Sequence, residues 1–351
     1  MNVTNGVSIE IFGAGLAALL LSFLLAPRIG KRAVRFGGVA LLLAFAVVVL
    51  LHPTLVMTRA IWALLLALLL LLVAGVADDR WNLPWWIQLG VQLLAAGAFV
   101  FGGGIVLDYL NAPFAEGEAW RLDRVPLISE AVAIAWLLLV MNAMNWLDGS
   151  DGVAPGVGVF GLSVLGTLSM LVGVAQPPLA ILAAAGAGAA LGVFFWNRPP
   201  ARVLLGTSGS FGLGFLVGAL AILAGAKLAT VATVLLLPLA DMAAVLTKRL
   251  LRGQPLTKGD RSHLHHVLAG RGAKPWMILA MHLTTAAVFG LAALLLPRPA
   301  KSITLLAGFL LAWVLLLVLD SPLRRTSVTR GVEVKLRETQ AKRREREITS
   351  A

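Results

Sequence analysis

Eleven apolar runs, each about as long as a bilayer is thick, leave this chain few ways to fold. They cover roughly 8–26, 36–52, 58–77, 84–106, 127–147, 153–172, 178–196, 210–224, 228–247, 276–296 and 302–320. A spanning helix needs about 20 mostly apolar residues, and in lipid only helices or closed barrels satisfy the backbone. Charged residues make up 13% of the chain, where soluble domains average about 25%. That excludes a water-soluble globule and a disordered chain. The expected fold is all-α: a polytopic membrane helical bundle of about eleven spans. The run at 210–224 is short, and Gly212, Gly214 and Gly218 within it point to close helix packing. The first run has no basic residue before it and carries Glu10 near its start, so it reads as a retained helix and not a signal peptide.

An odd number of spans puts the termini on opposite sides, and the basic residues choose between the two topologies. With the amino terminus outside, 23 of the 29 lysines and arginines fall on inner segments and six on outer ones. The positive-inside bias therefore places the amino terminus out and the carboxyl terminus in. On the same grounds the net charge of +12 marks cytoplasmic loops and not a nucleic-acid partner. Residues 1–323 form the integral membrane domain with its cytosolic loops. Residues 324–351 form a basic cytosolic tail, read as a solvated stop-transfer segment in preference to a lipid-headgroup contact. The outer segment Asp108–Pro126 reads as turns or a short hairpin. No internal repeat or transporter-like half symmetry is visible.

This topology sorts the acids. Asp78, Asp79, Asp148, Asp151, Asp241 and Asp260 lie at inner helix ends or loops, with His263, His265 and His266 and many cations. Such a constellation suits a phosphorylated, metal-bound substrate. Adjacent Asp78 and Asp79 repel each other unless a cation or proton relieves them; an ordinary solvated helix end is the competing reading. Asn142, Asn145 and Asp148 are three apart and share a face if the helix continues. Oxygen ligands beside glycines suit a hard cation and a diphosphate, against a capped helix break. Gly206-Thr207-Ser208-Gly209-Ser210 offers backbone N–H groups to phosphate, or simply caps a helix. Zinc is disfavoured for the histidines, because the chain has no cysteine and His265 and His266 are adjacent.

In order and spacing these segments resemble the polyprenyl-phosphate N-acetylhexosamine-1-phosphate transferase family. The resemblance runs from Phe36-Gly37-Gly38 to His266. Ala77-Asp78-Asp79-Arg80, with Leu83 and Gln92, is similar to its acidic motif. Asn142 to Gly152 is similar to its Asn-x-x-Asn-x-x-Asp-Gly-x-Asp-Gly motif, the most specific signal in the chain. Asn197, Pro200-Ala201 and Gly206-x-x-Gly209-Ser210 match its next loop, and Pro238, Asp241 and Asp260–His266 its last. That last loop resembles the O-antigen and teichoic-acid branch more than the cell-wall translocase.

The resemblance implies a Mg²⁺- or Mn²⁺-dependent membrane enzyme with its active site on the cytoplasmic face. It would transfer HexNAc-1-phosphate, with GlcNAc preferred, from a UDP-sugar to polyprenyl phosphate, release UMP and start a cell-envelope glycan. Two anionic reactants need charge screening and in-line placement. By motif match Asp78, Asp79 and Asp148 are the catalytic candidates and Asn145 the metal ligand. Asn142, Asp151, Arg261, His263, His265 and His266 would bind the substrates. Partners are the UDP-HexNAc, the polyprenyl phosphate and the bilayer; homodimerisation is left open. The alternative is a degenerate member that binds lipid phosphate or nucleotide sugar without turnover, and after it a transporter.

Three positions depart from the family pattern. Thr207 stands where the family has a metal-binding aspartate, and a hydroxyl is the weaker Mg²⁺ ligand. Gln88 stands where it has a lysine, and the basic stretch Lys31–Arg35 lacks its histidine. The first two changes remove opposite charges, as a coupled exchange would.

Overall fold

The computed structural model describes residues 3–30, 35–107, 109–112, 118–122, 124–125, 127–171, 175–225, 227–255 and 262–319. The basic tail and Arg261 lie outside these residues. The helices are α1 (Val3–Gly30), α2 (Gly37–Leu51), α3 (Arg59–Trp81), α4 (Trp85–Gly103), α5 (Ile128–Leu147), α6 (Val153–Met170) and α7 (Pro177–Asn197). Then come α8 (Gly206–Leu223), α9 (Leu228–Val234), α10 (Leu236–Leu251), α11 (Leu264–Gly270), α12 (Pro275–Leu295) and α13 (Arg298–Leu319). The protein is thus a polytopic helical bundle. One small antiparallel hairpin, β1 (Tyr109–Asn111) with β2 (Ala119–Arg121), sits in the loop where a hairpin was expected.

Nine described helices are long and apolar enough to cross a membrane, and ten if α9 and α10 form one span. Those two meet at an 81° bend, where the sequence suggested a single straight run. The eleventh apolar run is α2, whose 15 residues reach only about 22 Å, short of the roughly 30 Å hydrocarbon core.

Local signals set the two ends of α3, the second of them at the future site. Thr58 caps α3, its hydroxyl oxygen accepting the Ile61 N–H at 3.4 Å. The helix stops at Asn82, which turns left-handed at φ 49° while its N–H bonds the Asp78 carbonyl. Asp78 and Asp79 therefore lie in the last turn of α3, not beyond it.

The buried axis of the bundle is α8, packed by α2, α3, α5, α6, α7 and α9. Its first turn is crossed so tightly that a Cβ on Gly75 of α3 would lie 2.2 Å from the Ser208 Cα. A Cβ on Gly38 of α2 would lie 2.1 Å from the Gly209 nitrogen. Without a hydrophobic drive between helices in lipid, such backbone contact is what holds spans together. It also brings the ends of α3, α5 and α7 to the start of α8.

Candidate active site

The start of α8 organises the site. Gly206 has φ +77°, and a Cβ there would lie 2.1 Å from the Arg35 carbonyl oxygen and 2.6 Å from Asp79 Oδ2, so no other residue fits. Its N–H donates to Asp148 Oδ2 at 3.1 Å. The Thr207 N–H donates to Asp79 Oδ1 at 3.0 Å, and the Ser208 N–H makes a longer 3.5 Å contact with Asp79 Oδ2. Two carboxylates thus occupy the positive end of a helix dipole, where negative charge is stabilised. The backbone amides that the sequence offered to phosphate are already taken by the protein's own acids.

Asp78 is held differently. Its Oδ1 accepts the Leu83 N–H at 2.8 Å and Gln88 Nε2 at 2.9 Å, and its Oδ2 accepts the Thr207 hydroxyl at 2.7 Å. The two departures Gln88 and Thr207 therefore meet on one carboxylate. Thr207 spends its only hydroxyl proton on Asp78, so an aspartate here would set two acids against each other.

Asn142, Asn145 and Asp148 do share one face of the end of α5, and each reaches a different neighbour. Asn142 Nδ2 donates to Gln92 Oε1 of α4 at 2.8 Å, and Asn145 Oδ1 accepts the Ser210 hydroxyl of α8 at 2.8 Å. Past the bend, Asp151 Oδ2 accepts the Ala201 N–H at 3.0 Å. Buried Asn197 ties the same turn down, accepting the Gly152 N–H and donating to the Val203 carbonyl, both at 2.9 Å. Burial, with Asp79 and then Asp151 nearby, pushes Asp148 well above the usual carboxylate range, against the opposing pull of the Gly206 N–H and Arg35.

The histidines lie against the same bend. His263 packs edge-on to Trp146 with ring centres 4.7 Å apart. A Cβ on Gly149 would meet His265 Nε2 at 2.5 Å, so only glycine lets that imidazole approach. Asp241 of α10 orients the cluster, one oxygen 3.0 Å from His263 Nδ1 and the other accepting the Leu264 N–H at 2.9 Å. His265 Nε2 is buried without a hydrogen-bond partner. Burial first, then the neighbouring imidazoles His266 and His263, lower this histidine to about 4, so it is neutral at physiological pH. Arg249 sits over the Trp146 ring at 5.7 Å.

The acidic pair, the asparagine bend and the histidines therefore share one end of the bundle. Gln92, Asp241 and Ser210 matched motifs without receiving a role; they turn out to hold Asn142, His263 and Asn145 in place. A polar residue inside an apolar run is the available signal for the first two.

The donor set fits a hard cation of the Mg²⁺ type. Among the described residues no three histidine, cysteine, aspartate or glutamate side chains form a metal cage. Mg²⁺ rarely uses one, taking one or two carboxylates and completing its shell with substrate phosphates and water. Asp79 and Asp148, both bonded at the first turn of α8, and the amide oxygen of Asn145 supply that chemistry.

Comparison with known proteins agrees with this geometry. The profile of glycosyl transferase family 4 matches residues 61–225. A probable undecaprenyl-phosphate N-acetylglucosaminyl 1-phosphate transferase of Bacillus subtilis is 26% identical over 82% of this chain and 78% of its own. A decaprenyl-phosphate N-acetylglucosaminephosphotransferase of Mycolicibacterium smegmatis is 28% identical over 67% and 64%. A phospho-N-acetylmuramoyl-pentapeptide-transferase of Desulforamulus reducens is 36% identical over 38% of each chain. Over residues 61–225 the chain is thus similar to glycosyl transferase family 4, and over most of its length to proteins named as polyprenyl-phosphate N-acetylglucosamine-1-phosphate transferases.

Proposed function

We propose that the protein transfers N-acetylglucosamine-1-phosphate from UDP-N-acetylglucosamine to a polyprenyl phosphate, at the cytoplasmic membrane face. An oxygen of the lipid phosphate bonds to the β-phosphorus of the nucleotide sugar, the bond from that phosphorus to the bridging oxygen breaks, and UMP leaves. The observation that carries this reading is the convergence of Asp78, Asp79, Asp148 and Asn145 with the histidine cluster around the start of α8. The names of the relatives favour the sugar, and the 23-to-6 distribution of basic residues favours the cytoplasmic face.

Asp79, Asp148 and Asn145 would hold Mg²⁺, which when bound neutralises diphosphate charge. Asp78, fixed by three donors, is the acceptor for the proton of a protonated lipid phosphate. With Nδ1 donating to Asp241, the neutral ring of His263 offers Nε2 as an acceptor for a substrate hydroxyl. Neutral His265 presents its unpartnered Nε2 beside the Asp148-Gly149 turn, where a substrate hydroxyl or phosphate supplies the missing hydrogen bond. Asn142 ties α5 to Gln92 of α4 and Asp151 keeps the bend in shape, and the motif match assigns Arg261 to substrate binding.

Purified protein given UDP-N-acetylglucosamine, polyprenyl phosphate and Mg²⁺ should release UMP and form a lipid-linked sugar diphosphate. No UMP from any common UDP-N-acetylhexosamine, with the protein folded, would replace this reading with a binding protein that does not turn over.

A further inference from the structure

Three spans meet on the carboxylate of Asp78. Had this residue only closed the end of α3, the Leu83 N–H would have sufficed. Instead a second donor arrives from Gln88 on α4, ten residues away, and a third from Thr207 on α8, 129 residues away. They grip opposite oxygens. We propose that Gln88 and Thr207 are a coupled pair of positioning residues, which act through Asp78 to hold its carboxylate in one orientation. The inference rests on the proposed transferase reaction and deepens it.

Each donor is itself fixed. Gln88 Nε2 also donates to the Leu83 carbonyl at 3.0 Å, so the nitrogen, not the oxygen, of the amide must face both acceptors. Thr207 is anchored by its own N–H on Asp79 Oδ1. A hydroxyl has one proton; with that proton on Asp78, the Thr207 oxygen is only an acceptor towards the rest of the site. Hydrogen bonds to a carboxylate are roughly twice as strong as neutral ones, so both donors fix its orientation firmly. Neither adds charge beside Asp79, which the next position in the chain places close by. Because both act on one rigid group, losing either frees the carboxylate to rotate and weakens the other. Their effects are then not additive.

The test uses the full-length protein and UMP release. Thr207→Val and Gln88→Leu should each lower kcat at least about tenfold with little change in KM for the UDP-sugar. The double variant should be no worse than about the poorer single one, as expected for residues that act as a unit. Thr207→Ser, which returns the donor, should restore most of the loss. Thr207→Asp should be the most damaging change, since it removes the donor and adds a like charge. Adding Gln88→Lys should recover at least about tenfold by returning a cation to the other oxygen. Thermal midpoints in detergent separate these effects from unfolding, and Thr207→Ser remains informative if Thr207→Val does not fold. Additive losses, or full activity in Thr207→Val, would overturn the coupling. A wild-type protein that releases no UMP overturns the proposed reaction instead.

Discussion

His265 stacks 5.9 Å from His263 and 4.2 Å from His266, with almost no solvent to share a proton. Its pKa falls from 6.5 to about 4. In the unfolded chain the ring binds a proton below about pH 6.5; in the folded one it does so only near pH 4. Between these values the unfolded state holds more protons, so stability rises with pH. The contribution is complete above about pH 6.5 and is lost as pH falls through about 4, on the order of 3 kcal/mol in all. Thermal midpoints measured from pH 7.5 to 4 should therefore drop, and His265→Gln should flatten the drop in that window. At this scale the sequence marked residues that the structure brings to one end of the bundle, but not what each one touches. The spacing of Asn142, Asn145 and Asp148 announced a shared face, yet their partners Gln92, Ser210 and Gly206 lie 50, 65 and 58 residues away. Periodicity carries no information about such pairs.

Among the elements, α8 depends most on its neighbours, because its first turn touches two other backbones. Gly75→Leu should force α3 away from Ser208, lower the thermal midpoint by several degrees and abolish UMP release. A midpoint equal to that of the wild type would show that the crossing tolerates a side chain. Most spans were legible from length and hydropathy alone, since partition into lipid is a property of composition. The bend at Leu235 was not: residues on both sides are apolar, and hydropathy is blind to a change of direction. For the same reason the start of α8 was set at 210, four residues late, because Gly206 to Gly209 read as loop when they are the crowded first turn of the helix. The seven-residue α11 lay hidden in a polar segment too short to show a period.

For the molecule as a whole, the side of the membrane that holds the site can be tested directly. The chain has no cysteine, so single cysteines label without background. Tyr109→Cys, on the exposed hairpin at the end opposite the acids, should react with an impermeant maleimide from outside intact cells. Gln254→Cys, exposed beyond α10, should react only after the membrane is opened. The reverse pattern would invert the topology drawn from the basic residues. Motif order foretold which segments belong to one site, while their meeting at the start of α8 is a tertiary fact that no single segment encodes.

The clamp on Asp78 ties chemistry to lipid. When the hydrophobic length of a span and the thickness of its bilayer disagree, the span tilts, and the packing of α3 against α4 and α8 limits but need not abolish a difference in tilt. A tripod whose feet stand on three separate spans turns any such difference into a twist of the carboxylate at its apex.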